Sequence, residues 1–365
     1  MKNIIVTGGC GYIGSHTVVA LIEHGYNPII LDNLQNSDIR IIRQIEKITG
    51  IVPDFFIGDV RDSKILSEIR AKYQQIEGII HFAALKAVAE SVHDPLAYYD
   101  NNLQSLISIL RFARDEKIRH FVFSSSCTVY GNPTQLPVTE ATPFGTISSP
   151  YGNTKKIGEE IMKDLMNSGA PLKMIGLRYF NPVGAHPSGL IGEMPDGTPN
   201  NLLPYITRAA RGSLPKLTIF GNDYDTPDGT CIRDFIHVDD LAEAHVKAIG
   251  FLVEQKQESI LEVLNVGTGK GNSVLELIQK FQSVNNVKVP FKIGPRRPGD
   301  IEQIYASVKN CKAKLGWESK KSIDDALRDS WNWENNGLKA FEKPKNNEMA
   351  MSKPGNKQKI KTLKL

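Results

Sequence analysis

The stretch TGGCGYIGSH, residues 7–16, decides the fold. It follows the apolar run Asn3–Val6 and leads into a segment with helical spacing, Tyr12–His24. Gly8, Gly11 and Gly14 permit, in turn, a tight turn, close backbone approach to a pyrophosphate, and close packing of helix on strand. A helix that starts there faces an anion with free N–H groups and the positive end of its dipole. Asp32 ends the second apolar run, eighteen residues beyond Gly14. A carboxylate in that place accepts from the adenosine ribose hydroxyls and repels a 2′-phosphate. Asn33-Leu34-Gln35-Asn36 follow without an arginine, so the expected dinucleotide is NAD rather than NADP.

The same alternation continues outward. Apolar runs at Asn3–Val6, Pro28–Leu31, Asp54–Ile57, Ile76–Phe82, His120–Ser124 and Lys173–Arg178 are continuous rather than alternating, as strands covered on both faces should be. Helical patterns near Tyr12–His24, Asp62–Tyr73, Pro95–Asp115 and Tyr151–Asn167 separate them. This predicts an α/β fold: a doubly wound parallel (Rossmann) sheet with right-handed crossovers over residues 1–180. From 181 to 340 the rhythm shifts to Pro/Gly-rich loops and a helix near Asn201–Arg211, and Glu262–Val266 reads as a further sheet strand. That half is expected to be a smaller substrate-binding region interleaved with the sheet.

Composition narrows the class. The 365 residues are 41% hydrophobic and 23% charged, as in soluble globular chains, with no apolar run of membrane-spanning length and no secretory signal. The net charge of +4 comes from the end of the chain, where residues 343–365 hold seven lysines and one glutamate. Residues 341–365 therefore read as a basic, solvated, disordered appendage. No nucleic-acid partner is expected. Cys10, Cys127, Cys231 and Cys311 lie far apart, with neither a CxxC pair nor metal-ligand spacing, so no metal is expected and a reducing cytoplasm fits.

The segment SSSCTVYG, residues 124–131, breaks from an apolar run into hydroxyls, and SPYGNTKK, residues 149–156, places Tyr151 and Lys155 four apart on one helix face. A free phenol titrates near 10 and is a poor base at neutral pH. A neighbouring ammonium, with a positive nicotinamide ring, is expected to draw it towards the working range. Taken together, these segments resemble the extended short-chain dehydrogenase/reductase family. The resemblance implies a catalytic trio of Ser126, Tyr151 and Lys155. Related dehydratases carry an acid pair after the fifth strand; Ser126-Cys127-Thr128 offers none, which disfavours elimination.

The second half resembles one branch of that family, the UDP-glucose 4-epimerases, through RYFNPVGAHPSGLIGEMPDGTPNNLLPYI (178–206) and FGNDYDTPDGTCIRDFIHVDDLAEAH (220–245), as do HFAALKAVAESV (81–92) and YYDNN (98–102). The likeness runs from about residue 2 to 335. It implies NAD held by Gly8, Gly11, Tyr12, Ile13, Gly14, Asp32, Asn33, Asp59, Val60, Phe82, Lys86, Asn101, Tyr151, Lys155 and Tyr179. It implies UDP-sugar contacts from Ser126, Asn181, Asn201, Leu202, Phe220, Arg233, Arg297 and Asp300, with Ile304 limiting the room beside the sugar. Two separated arginines suit a diphosphate.

Three positions depart from the family pattern. Phe235 replaces a common tyrosine and is expected to remove a hydroxyl contact near the UDP moiety. Asn153 stands for a frequent lysine, read as a solvent-facing change, and Pro298 for a glutamate beside Arg297.

The implied reaction is reversible C4 epimerisation of UDP-galactose and UDP-glucose through a 4-keto sugar, with tightly bound NAD, in a homodimer. Two alternatives stay open at this point. One is a 4-epimerase mainly for UDP-N-acetylhexosamines, since isoleucine at 304 is of intermediate size. The other is a non-catalytic NAD-binding relative.

Overall fold

The computed structural model describes residues 1–195, 197–297 and 299–341. The lysine-rich segment from 342 and Pro298 lie outside the described residues. Six parallel strands come from the first half: β1 (Asn3–Thr7), β2 (Asn27–Asp32), β3 (Asp54–Ile57), β4 (Gly78–His81), β5 (His120–Ser126) and β6 (Lys173–Tyr179). Between them run α1 (Tyr12–Glu23), α2 (Ile41–Thr49), α3 (Ser63–Lys72), α4 (Val88–His93), α5 (Pro95–Asp115) and α6 (Pro150–Asn167).

The second half opens with β7 (Asn181–Val183), α7 (Leu202–Arg211), β8 (Leu217–Phe220), β9 (Ile232–Arg233), β10 (Phe235–His237) and α8 (Val238–Glu254). It continues with β11 (Ile260–Val266), β12 (Asn272–Ser273), α9 (Val274–Asn285), β13 (Phe291–Gly294), β14 (Gln303–Ile304), α10 (Lys309–Leu315) and α11 (Ile323–Asn332). Strand β11 joins the main sheet, whose order is β11-β6-β5-β4-β1-β2-β3. The order reverses between β1 and β4, and ligands of open α/β sheets bind outside the strand ends at such a point.

Both faces of the sheet are covered, which explains why its strands read as unbroken apolar runs. Ile4, Val6, Ile30, Ile80 and Val122 pack with Val18, Leu21, Leu241 and Ile249 under α1 and α8. Their neighbours Ile5, Ile29, Ile79, Phe121 and Phe123 pack with Leu106, Ile109 and Met162 under α5 and α6. A separate core, with Leu203, Ile206, Leu277, Phe281 and Leu327, holds α7, α9 and α11 together.

Several elements were not anticipated from the sequence, notably α2, α8 and the short strand pairs of the second half. Phe341 is buried against the Trp333 ring and beneath the Arg40 guanidinium, so the fold includes this first residue of the presumed tail. No helix among the described residues is long and apolar enough to cross a membrane. Nor do they hold a group of three or more His, Cys, Asp or Glu side chains fit for a metal ion.

Gly14 lets α1 enter the fold. A Cβ on it would stand 2.2 Å from the Gly8 carbonyl oxygen and 2.9 Å from the Gly9 Cα, both backbone atoms that cannot swing away. Gly14→Ala is therefore expected to destabilise the protein by about 1–3 kcal/mol in urea or thermal unfolding, as overpacking does. An unchanged midpoint would refute this reading of the turn.

Candidate active site

The carboxyl ends of β1, β2, β4, β5 and β6 converge on one crevice. At its floor Gly8 adopts φ +71 and lies so close to the β4 loop that a Cβ would meet the Ala83 nitrogen at 3.0 Å. Gly11 is the N-cap of α1, no side chain caps it, and the first turn holds no acid. The first N–H groups of a helix have no partner within the helix, so this end is a cradle shaped and polarised for a pyrophosphate. Asp32 accepts from Cys10 N–H at 2.9 Å on one oxygen, and from Leu34 N–H at 2.9 Å and Ser37 Oγ at 2.8 Å on the other. A carboxylate has about four acceptor positions, which leaves one for a ribose hydroxyl. These residues fit a dinucleotide.

The sequence reading placed Asn33 and Asp59 at this edge, and the structure brings them together at 3.3 Å. Asp59 is gripped by Arg61, with Nε and a terminal nitrogen at 2.9 and 2.8 Å, which holds its carboxyl below the usual range. Arg61 is thus committed to carboxylates, Asp100 included, despite lying near the ribose end. Val60 is buried beside it. Asn101 donates to Asn102, and Asn102, which the sequence reading did not single out, holds the backbone of Leu85 in both directions. That pins the loop carrying Lys86.

The hydroxyl-rich end of β5 meets α6 residue by residue. Ser126 Oγ accepts from Thr128 N–H at 3.2 Å and from Thr128 Oγ1 at 3.0 Å, so its own proton is free to point at the Tyr151 oxygen. Lys155 Nζ reaches Ser124 Oγ at 3.5 Å and lies 5.1 Å over the Phe123 ring. Ser124 and Thr128 thus join the cluster, and only the hydroxyl run itself signalled them.

The electrostatics of the chain by itself run against one expectation, which also counted on a positive nicotinamide ring. Burial pushes the Tyr151 phenol up to about 12, and the Ser126 hydrogen bond offsets only part of that. Burial also lowers Lys155 to about 7, so the ammonium expected to acidify the phenol is itself pressed towards neutrality.

Tyr179 closes β6 opposite Ser126 and bonds His245 of α8. The His245 ring takes the Leu241 carbonyl at Nδ1, which leaves Nε2 to accept from the Tyr179 hydroxyl. Burial lowers this histidine to about 4, and it packs 4.8 Å from the Phe82 ring.

The predicted sugar-nucleotide residues fall into two rims. On one, Arg297 pairs with Asp300 at 2.5 Å and lies 5.5 Å over the exposed Phe220 ring, while Arg233 stands 4.0 Å from Asp300. Ile304 is paired in register with Arg233, and its side chain is buried against Cys127, Val138 and Phe180. Asp234, buried next to Arg233, accepts from Thr268, Gly269 and Ala306 and so fixes that rim. On the other rim, Glu193 joins Lys86 at 3.0 Å to Asn201 at 2.6 Å. No sequence signal had marked Glu193. Leu202 begins α7 beside Asn201, and Asn181 in β7 takes the Asp234 carbonyl through its N–H.

Two departures read differently in three dimensions. Phe235 is buried in the α7–α9–α11 core with Val183 and Leu203, a packing role the motif did not suggest. Asn153 is half-buried rather than fully solvent-facing: its amide donates to the Tyr99 hydroxyl at 2.8 Å, joining α6 to α5.

Comparison with known proteins accords with this geometry. Residues 4–267 match the NAD dependent epimerase/dehydratase family. A UDP-glucose 4-epimerase of Neisseria meningitidis serogroup A is 47% identical over 344 residues, covering 94% of this chain and 100% of that protein. A UDP-glucose 4-epimerase structure from Stenotrophomonas maltophila, with bound NAD and formylated UDP-arabinopyranose, superposes with a TM-score of 0.90. It is 46% identical and covers 93% of this chain and 100% of that one. A Bifidobacterium longum UDP-glucose 4-epimerase, in complex with NAD+ and UDP, gives 0.87 at 44% identity over 92% of this chain and 100% of that one. With its glycine cradle, its Tyr-Lys helix and relatives matched end to end, the chain belongs to the NAD dependent epimerase/dehydratase family.

Proposed function

We propose that this chain interconverts UDP-galactose and UDP-glucose by inverting C4 through a 4-keto sugar. The observation that carries the reading is the Ser126–Tyr151–Lys155 cluster above a dinucleotide cradle, with hydroxyls and no carboxylate following β5. NAD held by Gly8, Gly11, Tyr12, Ile13, Gly14 and Asp32 supplies a hydride acceptor and donor at C4.

Tyr151 takes the proton of the 4-hydroxyl and gives it back to the inverted oxygen. Ser126, polarised by its two bonds from Thr128, donates to the phenolic oxygen and so stabilises its ionised form. Lys155 holds the ribose end and supplies the cation that the phenolate needs in a desolvated site. Arg233, Arg297, Asp300, Phe220, Asn181, Asn201 and Leu202 anchor the UDP portion. Binding energy is thereby placed away from the reacting carbon, and the hexose is left free to present either face. Ile304 bounds the sugar pocket beside Cys127.

The domain division into residues 1–180 and 181–340 is part of the proposal, the second region lending β11 and α8 to the sheet. A homodimer is supported by apolar side chains exposed on α4 and α5, Val92 and Leu96 above all, the latter at 78% exposure. A cytoplasmic setting is supported by four free, buried cysteines.

Four measurements test this reading. Purified protein given UDP-galactose without added NAD should form UDP-glucose in an NMR time course, and Tyr151→Phe should lower kcat by roughly 10²–10⁴. No conversion even with NAD supplied would end the proposal, and turnover of UDP-N-acetylglucosamine alone would move the assignment to acetylated sugars.

Lys155→Met should abolish activity yet stabilise the protein by a few kcal/mol at pH 6.5, because burying the ammonium opposes folding at about 1.4 kcal/mol per pH unit of displacement. The cost is full below about 7, shrinks as pH rises, and vanishes near the unfolded value of 10.5. Equal unfolding midpoints from pH 6.5 to 10 would contradict it. Sedimentation equilibrium should give twice the chain mass.

A further inference from the structure

The three serines of β5 hold three residues of α6 spaced four apart: Ser126 meets Tyr151, Ser124 meets Lys155, and Ser125 donates to Glu159 at 2.5 Å. The first two contacts belong to the site. The third lies below it, in the layer under α6, and continues into a buried network. Arg178 of β6 grips Glu159 through Nε at 3.0 Å and a terminal nitrogen at 2.7 Å. Its other terminal nitrogen donates to the Tyr130 hydroxyl at 2.8 Å, and that hydroxyl donates to Asn265 of β11 at 2.5 Å. The guanidinium is stacked between the rings of Tyr130, at 4.9 Å, and Phe144, at 5.2 Å. Asn265 passes the network on to the Val138 carbonyl at 3.1 Å. Val138 bonds Tyr305 and Ser307, which follow Ile304 in the chain.

A single planar fork thus touches α6, the 3₁₀ turn after Ser126 and, through Tyr130, β11. Only 5% of either charged side chain is exposed. A pair buried so deeply adds little net stability over apolar side chains of equal size. What it does impose is fixed geometry, and misplacement of reacting groups by about 1 Å can cost on the order of 10²-fold in rate.

We propose that the Arg178–Glu159 pair, joined by Tyr130, is the positioning device of the catalytic helix. It sets the height of α6 on the sheet, so that Tyr151 and Lys155 meet Ser126 and Ser124, and it ties that height to the strand carrying Ile304. This rests on the epimerase reading above, in which Tyr151 is the base.

The test uses holoenzyme as purified and three variants. Tyr130→Phe keeps the ring on Arg178 but breaks the link to Asn265; Arg178→Lys keeps the charge but loses the fork; Glu159→Gln keeps the shape but loses the charge. Two quantities are read. The first is kcat and KM for UDP-galactose per mole of folded protein. The second is ultraviolet titration of the Tyr151 phenol, taken as the difference from the same background carrying Tyr151→Phe, which needs no turnover. Besides Lys155, the phenol is faced by Tyr98 of α5, Tyr179 of β6 and Cys127, all held protonated by burial.

Tyr130→Phe should lower kcat about 3- to 10-fold with KM within twofold, and Arg178→Lys should lower it about 10²-fold. Both should move the phenol titration upward. Glu159→Gln should fall between them. Variants that melt earlier but keep the wild-type kcat and phenol titration would overturn the proposal and leave the pair a structural one. Tyr130→Phe decides the matter if the other two fail to fold. Should wild-type protein not turn over UDP-galactose, the epimerase reading fails instead, and the phenol titration still decides the positioning role.

Discussion

The fold depends at its working end on how one helix lies along one strand. Residues four apart on α6 share a face, whereas side chains alternate across β5, so the two periods cannot stay matched for long. They match here for three residues only. Ser125, with Phe121 and Phe123, belongs to the layer beneath α6, where Gly158 leaves room for the Phe123 ring: a Cβ there would meet Cζ at 2.7 Å. Ser124 and Ser126 belong to the other side of the strand, and Lys155 and Tyr151 reach them past the end of the sheet. Gly158 and the Glu159–Arg178 pair thus act together, one permitting the close approach and the other fixing how far along it occurs.

The close approach has an electrostatic cost that the chemistry uses. Burial of Lys155, and in part of Tyr151, disfavours both phenolate and ammonium, so each group is drawn towards its neutral form. A charged pair is then accessible without being the resting state. The direct partners, Ser126 for the phenol and Ser124 for the amine, are hydroxyls that can turn to suit either protonation state. A carboxylate in place of either would pin the lysine as an ammonium and would add an acid or base able to drive elimination. The hydroxyl run from Ser124 to Thr128 is the composition that leaves proton transfer at one oxygen as the available chemistry.

Much of this was legible in the sequence because it is local. The glycine loop, Asp32, the βα alternation and the Tyr-Lys spacing are short-range patterns, and the ends of β5 and β6 fell within two residues of expectation. What escaped is non-local. Arg178 and Glu159 are nineteen residues apart and look like ordinary helix and strand charges until the sheet stacks them. Glu193 earns its place only by joining Lys86 to Asn201 across more than a hundred residues. Helix α8 is apolar on most sides because it lies between α1 and the sheet, so no clean stripe marked it. The packing of Phe235 escaped for the same reason: a motif position says which neighbours a residue has in sequence, not which core it enters.

The two rims of the crevice differ in a way that bears on inversion. On the Arg233 side two arginines share one carboxylate, Asp300, and on the Lys86 side the cation meets Glu193. In the proposed reading a phosphate pairs with the cation in surplus there, while Asp300 keeps a share of the guanidinium contacts. On that reading the clamp runs along β8, β9 and β14, and the phenol lies at the head of α6. Ile304, in register with Arg233, is buried in one apolar cluster with Cys127, Val138 and Phe180. On the reading proposed above, polar anchorage at the diphosphate, remote from the reacting carbon, would let the sugar be held by its tether while that carbon turns.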